Sequence, residues 1–368
     1  MKVIHCADIH LDSKLSANLS KNNSKERKRE ILSTFSRMIE YARNKGIEAI
    51  LIAGDLFDTK LSSALSRNTI KQAIENNPDI LFFYLRGNHD ENAVFSSFEE
   101  MPDNLFMFSD SWQSYALGDS DRVVLHGVEL NHDNSLNVQM NFAPDPSKIN
   151  IVMLHGQESE ASNQDKTEVI NLKLFRNKGI DYMALGHVHA VKVCELDKRG
   201  KYVYCGCLEG RGFDELGDHG FFVLDINEEK GTVTEEFVPF AFRRLYQVDV
   251  DVTGLNSSAE MIERVDKELK ASPAKEIDLV KVVLTGQVDV ECEKDPDFIW
   301  HTFEGNYYYM KVYDKTSLAV DPESFALDTS LKGEFVRTVL ECADLSDEDK
   351  GDIVRLGLNV LMGGKPEL

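Results

Sequence analysis

Five short motifs of carboxylate, amide and imidazole side chains recur along the first 189 residues of this 368-residue chain: Asp8-Ile9-His10, Gly54-Asp55-Leu56-Phe57-Asp58, Gly87-Asn88-His89-Asp90, His155-Gly156 and Gly186-His187-Val188-His189. Aspartate, asparagine and histidine supply the oxygen and nitrogen donors that bind divalent ions. The donors divide between two octahedral or five-coordinate ions. Asp8, His10 and His189 serve one, Asn88, His155 and His187 serve the other, and Asp55 bridges them through its two carboxylate oxygens. One such bridge keeps two ions roughly 3.5–4 Å apart, with room for a shared water acidified by both charges. Adjacent ions of this kind exist chiefly to hydrolyse phosphate esters. In His187-x-His189, the alternation of an extended segment points both imidazoles one way and Val188 the other.

His89 falls outside both ion spheres, because its side chain diverges from that of Asn88. It is placed to protonate a leaving alkoxide or to stabilise phosphate oxygens, and general acid catalysis is typically worth about 10²–10⁴-fold in rate. A carboxylate on its other ring nitrogen fixes the tautomer. Asp58 is the first choice for that part and Asp90 the rival.

Every motif closes an apolar run. Residues 2–6, 47–53, 80–85, 151–154 and 182–185 read as buried strands, so the ligands sit at strand carboxyl ends, where open α/β sheets place them. A lone Asp or His after a strand is usually a turn residue, and Gly-Asn alone makes an ordinary turn. Five motifs in this order are read together.

Taken together, those motifs are similar to the calcineurin-like metallophosphoesterase superfamily. The wider contexts Ala7-Asp8-Ile9-His10-Leu11-Asp12-Ser13 and Ala53-Gly54-Asp55-Leu56-Phe57-Asp58 resemble its DNA-repair nuclease branch of the SbcD/YhaO type. The resemblance implies an α/β (α+β) fold, a four-layer αββα sandwich over residues 1–240. It also implies a metal-dependent DNA phosphodiesterase acting as an exonuclease, with endonuclease action as a further expectation. Manganese is the expected metal, both by resemblance and by the share of hard oxygen donors, while Mg, Fe and Zn tolerate the same ligands. The stretch from Tyr204 to Phe213 resembles the glycine-rich segment that follows the last metal motif in that branch, with Cys at a position usually held by Pro or Ser. Gly206, Gly210 and Gly212 allow close approach of a nucleic-acid strand, or simply form a hairpin turn. Lys14 and Arg211 are the candidate substrate contacts.

Composition bounds the rest. There are 41 Lys plus Arg against 63 Asp plus Glu, a formal charge of −22 that repels a polyanion at long range. A DNA enzyme of this composition must concentrate its cations. Lys14, Lys21, Lys25, Arg27, Lys28 and Arg29 are the one dense basic cluster, which grips phosphates or is the solvated start of a helix over residues 26–44. The six cysteines, Cys6, Cys194, Cys205, Cys207, Cys292 and Cys342, show neither zinc-ribbon spacing nor the density of a disulfide scaffold. With no run of about 18 apolar residues and no signal peptide, a reduced cytoplasmic protein without membrane contact is expected.

The pattern changes near residue 240. Strand-like residues 243–252 and 279–290 flank a helical stretch over 258–271, and an acidic link over 291–297 leads to an aromatic strand over 307–313. This small β-α-β module, residues 241–318, resembles in position the domain that caps the catalytic groove of SbcD-like nucleases and selects DNA geometry. Residues 319–368 read as helices: Leu331, Phe335, Val339 and Leu340, then Ile353, Leu356, Leu358 and Val360 after a Ser346 cap. They pack on the capping module or dock a partner. The resemblance implies an SMC-like coiled-coil ATPase docked there, supplied in trans because the chain has no phosphate-binding Gly-x-x-x-x-Gly-Lys-[Ser/Thr] loop. Homodimerisation through helices near the third motif is a further family trait, and Phe95, Phe98 and Met101 serve it or belong to the core. Two other readings stand beside the nuclease: a phosphoesterase for small diesters, nucleotides or phosphoproteins, and a non-hydrolytic scaffold for an ATPase.

Overall fold

The computed structural model describes residues 1–13, 15, 19, 21–58, 63–90, 100–131, 134–159, 168–289, 292–319, 325 and 327–361. The chain divides into two compact units, Met1–Arg244 and Leu245–Leu368. In the first unit the strands are β1 (Lys2–Cys6), β2 (Ala49–Ala53), β3 (Leu81–Leu85), β4 (Leu105–Met107), β5 (Gln113–Leu117), β6 (Val123–Gly127), β7 (Ile149–His155), β8 (Gln157–Ser159), β9 (Val169–Asn171), β10 (Tyr182–Gly186), β11 (Lys192–Glu195), β12 (Lys201–Tyr204), β13 (Gly220–Asn227) and β14 (Thr232–Pro239). Its helices are α1 (Lys21–Lys45), α2 (Ala64–Glu75) and α3 (Ser135–Met140).

Two mixed sheets face each other. One runs β14-β13-β1-β2-β3-β4 and the other β11-β12-β10-β7-β6-β5, and β8 and β9 pair separately. Alternate side chains on each central strand enter different cores. Val3, Leu51, Phe83 and Leu224 meet Leu125, Ile151, Met153 and Ala184 between the sheets. Ile4, Ile50, Ile52 and Phe82 point outward and pack under Ile31, Phe35 and Met38 of α1 and Ile70 and Ile74 of α2. On the far side Val152, Leu154, Met183 and Leu185 are covered by Phe142, Ile170, Leu172, Phe175 and, from α3, Val138. Strands buried on both faces lose the polar/apolar alternation of one-sided strands, which is why they read as continuous apolar runs. The result is a four-layer αββα sandwich whose outermost layer over the second sheet is thin, a short helix with turns. Polar links also cross between the sheets: His5, which burial holds neutral by pushing its pKa down to about 3, pairs with the Tyr182 hydroxyl at 2.9 Å and the Leu185 carbonyl at 3.2 Å.

Helix α1 starts at Lys21, earlier than the expected residue 26, and this changes the reading of the basic cluster. Arg27 is not a surface cation. It is buried against Glu209 and Glu30 and donates to the Gly210 carbonyl at 2.8 Å. Lys28 donates to the Asp12 carbonyl, Lys25 and Arg29 are exposed, and Lys14 and the Lys21 side chain lie outside the described residues.

In the second unit β15 (Leu245–Asp251), β16 (Leu279–Thr285) and β18 (Tyr309–Asp314) form a parallel sheet under α4 (Ser258–Ala271) and α5 (Pro296–Phe303). The strand expected over 279–290 breaks at Gly286, whose φ is +96°; β17 (Gln287–Val288) then pairs with β19 (Ser317–Leu318). The expected acidic link holds α5, capped by Asp295, whose side chain accepts from the Phe298 amide at 3.0 Å. Finally α6 (Leu331–Leu340) and α7 (Asp347–Leu361) bury Val336, Val339, Val354 and Leu358 with Phe325, while Leu331, Ile353, Val360 and Leu361 remain exposed. Phe95 and Phe98 lie outside the described residues, and Met101 is exposed. Among the described residues, no helix is long and apolar enough to cross a membrane.

Candidate metal centre

The register of the sheets brings the motif ends together. β1 lies parallel to β2, β2 to β3, and β7 to β10, the last pairing setting Gly186 beside His155. Beyond the strand ends the backbones stay linked: the Asp8 amide donates to the Gly54 carbonyl at 3.0 Å and the His10 amide to the Asp55 carbonyl at 2.9 Å. Glycine makes the close meeting of the two sheets possible. A Cβ on Gly186 collides with the Ala53 carbonyl oxygen, one on Gly54 with the His155 ring, and one on Gly87 with the Asp55 carboxylate. The donors themselves sit in strained backbone. Asp8, His10 and Asp55 have φ near +50° and His187 has φ +98°, a region that costs a non-glycine residue about 1–3 kcal/mol and that clusters at functional sites.

Side-chain geometry then meets a physical test for cation binding. Two ligands about 2.1 Å from one ion and at right angles lie about 3.0 Å apart. His10 Nε2 and His189 Nε2 are 3.1 Å apart, Asn88 Oδ1 is 3.2 Å from His155 Nε2 and 3.3 Å from His187 Nδ1, and Asp55 Oδ2 is 3.4 Å from His155 Nε2 and 3.7 Å from His10 Nε2. The opposite ring nitrogens are tied back. His155 Nδ1–H donates to the Ala53 carbonyl at 2.9 Å, His10 Nδ1–H to Asp58 Oδ1 at 3.1 Å, and His189 Nδ1–H to Glu215 Oε1 at 2.7 Å. With those protons fixed, unshared pairs on His10 and His189 point at each other, an arrangement that only an intervening cation or proton relieves. Asp8, His10 and His189 form one such cluster and Asp8, Asp55 and His155 another.

Residues 1–191 match the family described as calcineurin-like phosphoesterases. The chain belongs to that family. It is also 28% identical over 324 residues to a DNA double-strand break repair protein Mre11 of Methanopyrus kandleri, covering 80% of this chain and 67% of that protein. It is 26% identical over 311 residues to the uncharacterized metallophosphoesterase YhaO of Bacillus subtilis, covering 77% and 71%, and 26% identical over 320 residues to the Mre11 protein of Archaeoglobus fulgidus, covering 75% and 70%.

In this metallophosphoesterase the expected ligands are mostly buried and the expected acid is not. Asp8, His10, Asp55 and His155 are at most 2% exposed, whereas the His89 side chain is 46% exposed. Asp58 Oδ1 lies 3.3 Å from His89 Nδ1 and also takes the His10 proton, so one carboxylate touches both rings. Asp90 turns away and accepts from the amides of Phe57 and Gly87 at 2.8 and 3.0 Å. His187 and His189 do not reach the site by strand alternation. The strand ends at Gly186, and the His187 amide donates to both Asp8 oxygens at 2.9 and 3.0 Å, which turns the backbone to positive φ and sends the two imidazoles to different clusters.

The electrostatics favour cations. Burial raises the Asp8 carboxyl to about 7, and although burial opposes it, the adjoining Asp55 carboxylate lifts His155 to about 9. Burial also opposes ionisation of Asp55, yet the His155 hydrogen bond and charge hold its carboxyl well below the ordinary range. Sequence reading missed Glu215. Its carboxylate holds His189 and accepts three Arg211 hydrogen bonds, from the side chain at 2.9 and 3.3 Å and from the backbone amide at 2.7 Å, so Arg211 is committed to Glu215 and, at 3.7 Å, to Asp58. It also missed Glu168, a half-buried acid grouped with His155 and His187. Beside them lies a cavity of about 380 Å³ lined by Arg86, Asp90, Glu129, His155 and Glu168 among others.

Proposed function

We propose that this enzyme is a manganese-dependent DNA phosphodiesterase, an exonuclease with endonuclease action at the same site, working in DNA repair as the nuclease subunit beside an SMC-like coiled-coil ATPase. One observation carries the reading: ligand-bearing loops from both sheets bring two sets of donor atoms to ion-binding spacing around Asp55, with exposed His89 at their edge. We assign Asp8, His10 and His189 to one ion, Asn88, His155 and His187 to the other, and Asp55 to both. When bound, such ions supply Lewis acidity that neutralises phosphate oxygens and acidifies the attacking water.

The chain's own residues supply the rest. Among the described residues His89 Nε2 meets no hydrogen-bond partner while Nδ1 faces Asp58, the arrangement of a proton donor to the departing sugar oxygen. Its amide is fixed on Asp55 Oδ1 at 2.9 Å, so the acid and the bridging carboxylate keep a set separation. Asp58 and Glu215 hold the two rings on the first ion in the tautomer that offers Nε2. DNA as substrate is supported by similarity to break-repair proteins along three quarters or more of the chain, well past the phosphoesterase domain. Residues 241–318 are the proposed capping module, and the exposed apolar side chains of α6 and α7 support an ATPase-docking role.

The charge of −22, with Arg27 and Arg211 both neutralised, favours a second reading, in which the substrate is a small phosphodiester or nucleotide. Purified protein with manganese, given labelled single-stranded, blunt and hairpin DNA beside a model diester, separates them. Shortening of DNA at rates well above diester turnover supports the nuclease. Diester turnover with intact DNA refutes it.

A further inference from the structure

We propose that Glu168 supplies a carboxylate ligand to the second ion, the one assigned to Asn88, His155 and His187. The inference rests on the dinuclear reading above and adds to it. A carboxylate oxygen of Glu168 and ring nitrogens of His155 and His187 all lie within 4.8 Å of one another. Ligands about 2.1 Å from one ion stand about 3.0 Å apart when adjacent and about 4.2 Å apart when opposite, so a side-chain shift of about half an ångström brings all three into one coordination sphere.

Three further observations agree. Among the described residues the Glu168 carboxylate accepts no hydrogen bond and joins no ion pair, although it is half-buried. Glu129, which lines the same cavity, is by contrast matched with Arg86, and Glu158 is matched with Lys192. A partly buried carboxylate with no partner is costly, and a cation is the partner the site lacks. The backbone is also built to hold it there. Glu168 has φ +67°, its carbonyl accepts from the Gln157 amide at 2.9 Å, and a Cβ on Gly156 collides with that same carbonyl oxygen. The glycine of the His155-Gly156 motif therefore serves the approach of Glu168. Finally, Glu168 and His155 share the wall of the 380 Å³ cavity, so this ion faces open space that a substrate or water can enter.

With Asp55 and Asn88, Glu168 gives the second ion three oxygen donors and two imidazoles, a harder set that favours Mn²⁺ over Zn²⁺. The test is equilibrium dialysis of Mn²⁺ with the full chain, comparing wild type, Glu168→Gln and Asp110→Asn. Asp110 lines the same cavity, so its loss removes the same charge without removing a ligand. Wild type should bind two ions. Glu168→Gln should keep the first at unchanged affinity, which also reports an intact fold, and bind the second at least tenfold more weakly, while Asp110→Asn matches wild type. Two affinities within twofold of wild type in Glu168→Gln, or equal weakening in both variants, overturn the proposal alone. Fewer than two ions in wild type overturn the dinuclear reading and this proposal together.

Discussion

Glu215→Gln tests how the first ion is held without removing any proposed ligand. Glu215 is buried, with Oε1 2.7 Å from His189 Nδ1 and 2.9 Å from an Arg211 nitrogen, and its carboxyl sits well below the ordinary range because His189 and Arg211 together outweigh the opposing effect of burial. Glutamine keeps an acceptor oxygen but not its charge. A hydrogen bond to a charged group contributes about 1.5–3 kcal/mol and a neutral one about 0.5–1.5, so the His189 contact should weaken by about 1–1.5 kcal/mol. That is close to the low end of the 10–100-fold affinity losses, about 1.4–2.7 kcal/mol, seen when partners behind metal-bound histidines are removed. Arg211 keeps one carboxylate partner, Asp58 at 3.7 Å, beside its 2.9 Å approach to His189 Nδ1. The expected result is a first-ion affinity about tenfold weaker with the second ion unchanged, read by manganese dialysis against wild type. A first-ion Kd within twofold of wild type refutes the reasoning, as does equal weakening of both ions, since Glu215 touches only the His10/His189 side.

His89→Ala should lower kcat about 10²–10⁴-fold while the bound metal per chain stays at the wild-type value, measured by turnover and by metal analysis of the same sample; retained turnover refutes the acid role. Arg27→Met strands buried Glu209 and should cost about 3–5 kcal/mol in urea unfolding, with DNA affinity unchanged; a loss of affinity without a loss of stability would return Arg27 to the phosphate-gripping patch. Burial alone would raise the Glu30 carboxyl, but hydrogen bonds from Arg243 and the charge of Arg27 hold it below its ordinary value. A carboxyl whose pKa is lower in the folded state adds stability that is present above its unfolded pKa and lost as pH falls through the folded one. The gap in unfolding midpoint between wild type and Glu30→Gln should therefore hold from neutral pH down to about 4.5 and close as pH falls further, through the lowered folded pKa, and a constant gap contradicts the pairing.

Much of the sandwich was legible because its central strands are buried on both faces, so Lys2–Cys6, Ala49–Ala53 and Tyr182–Gly186 stand out as apolar runs that end in polar motifs. What failed was local conformation set by tertiary contact. His187 reads as part of a strand, but its amide is captured by Asp8 across the site. Glu215 and Glu168 carry no sequence signal of their own, since each matters only because a distant histidine arrives beside it. Arg27 had a signal that was passed over. Its spacing to Ile31, Thr34 and Met38 is that of one helix face, the buried one. Helix α5 was hidden by its acidic start, although Asp295 followed by Pro296 is the cap and first-turn pairing that begins helices.

The central claim is that two ions share Asp55, and manganese stoichiometry by paramagnetic resonance tests it most directly. Wild type should bind two Mn²⁺ per chain and show the signature of a spin-coupled pair, and Asp55→Ala should lose the coupling together with most of the bound metal. A single uncoupled ion in wild type, or an intact coupled pair in Asp55→Ala, would contradict the account.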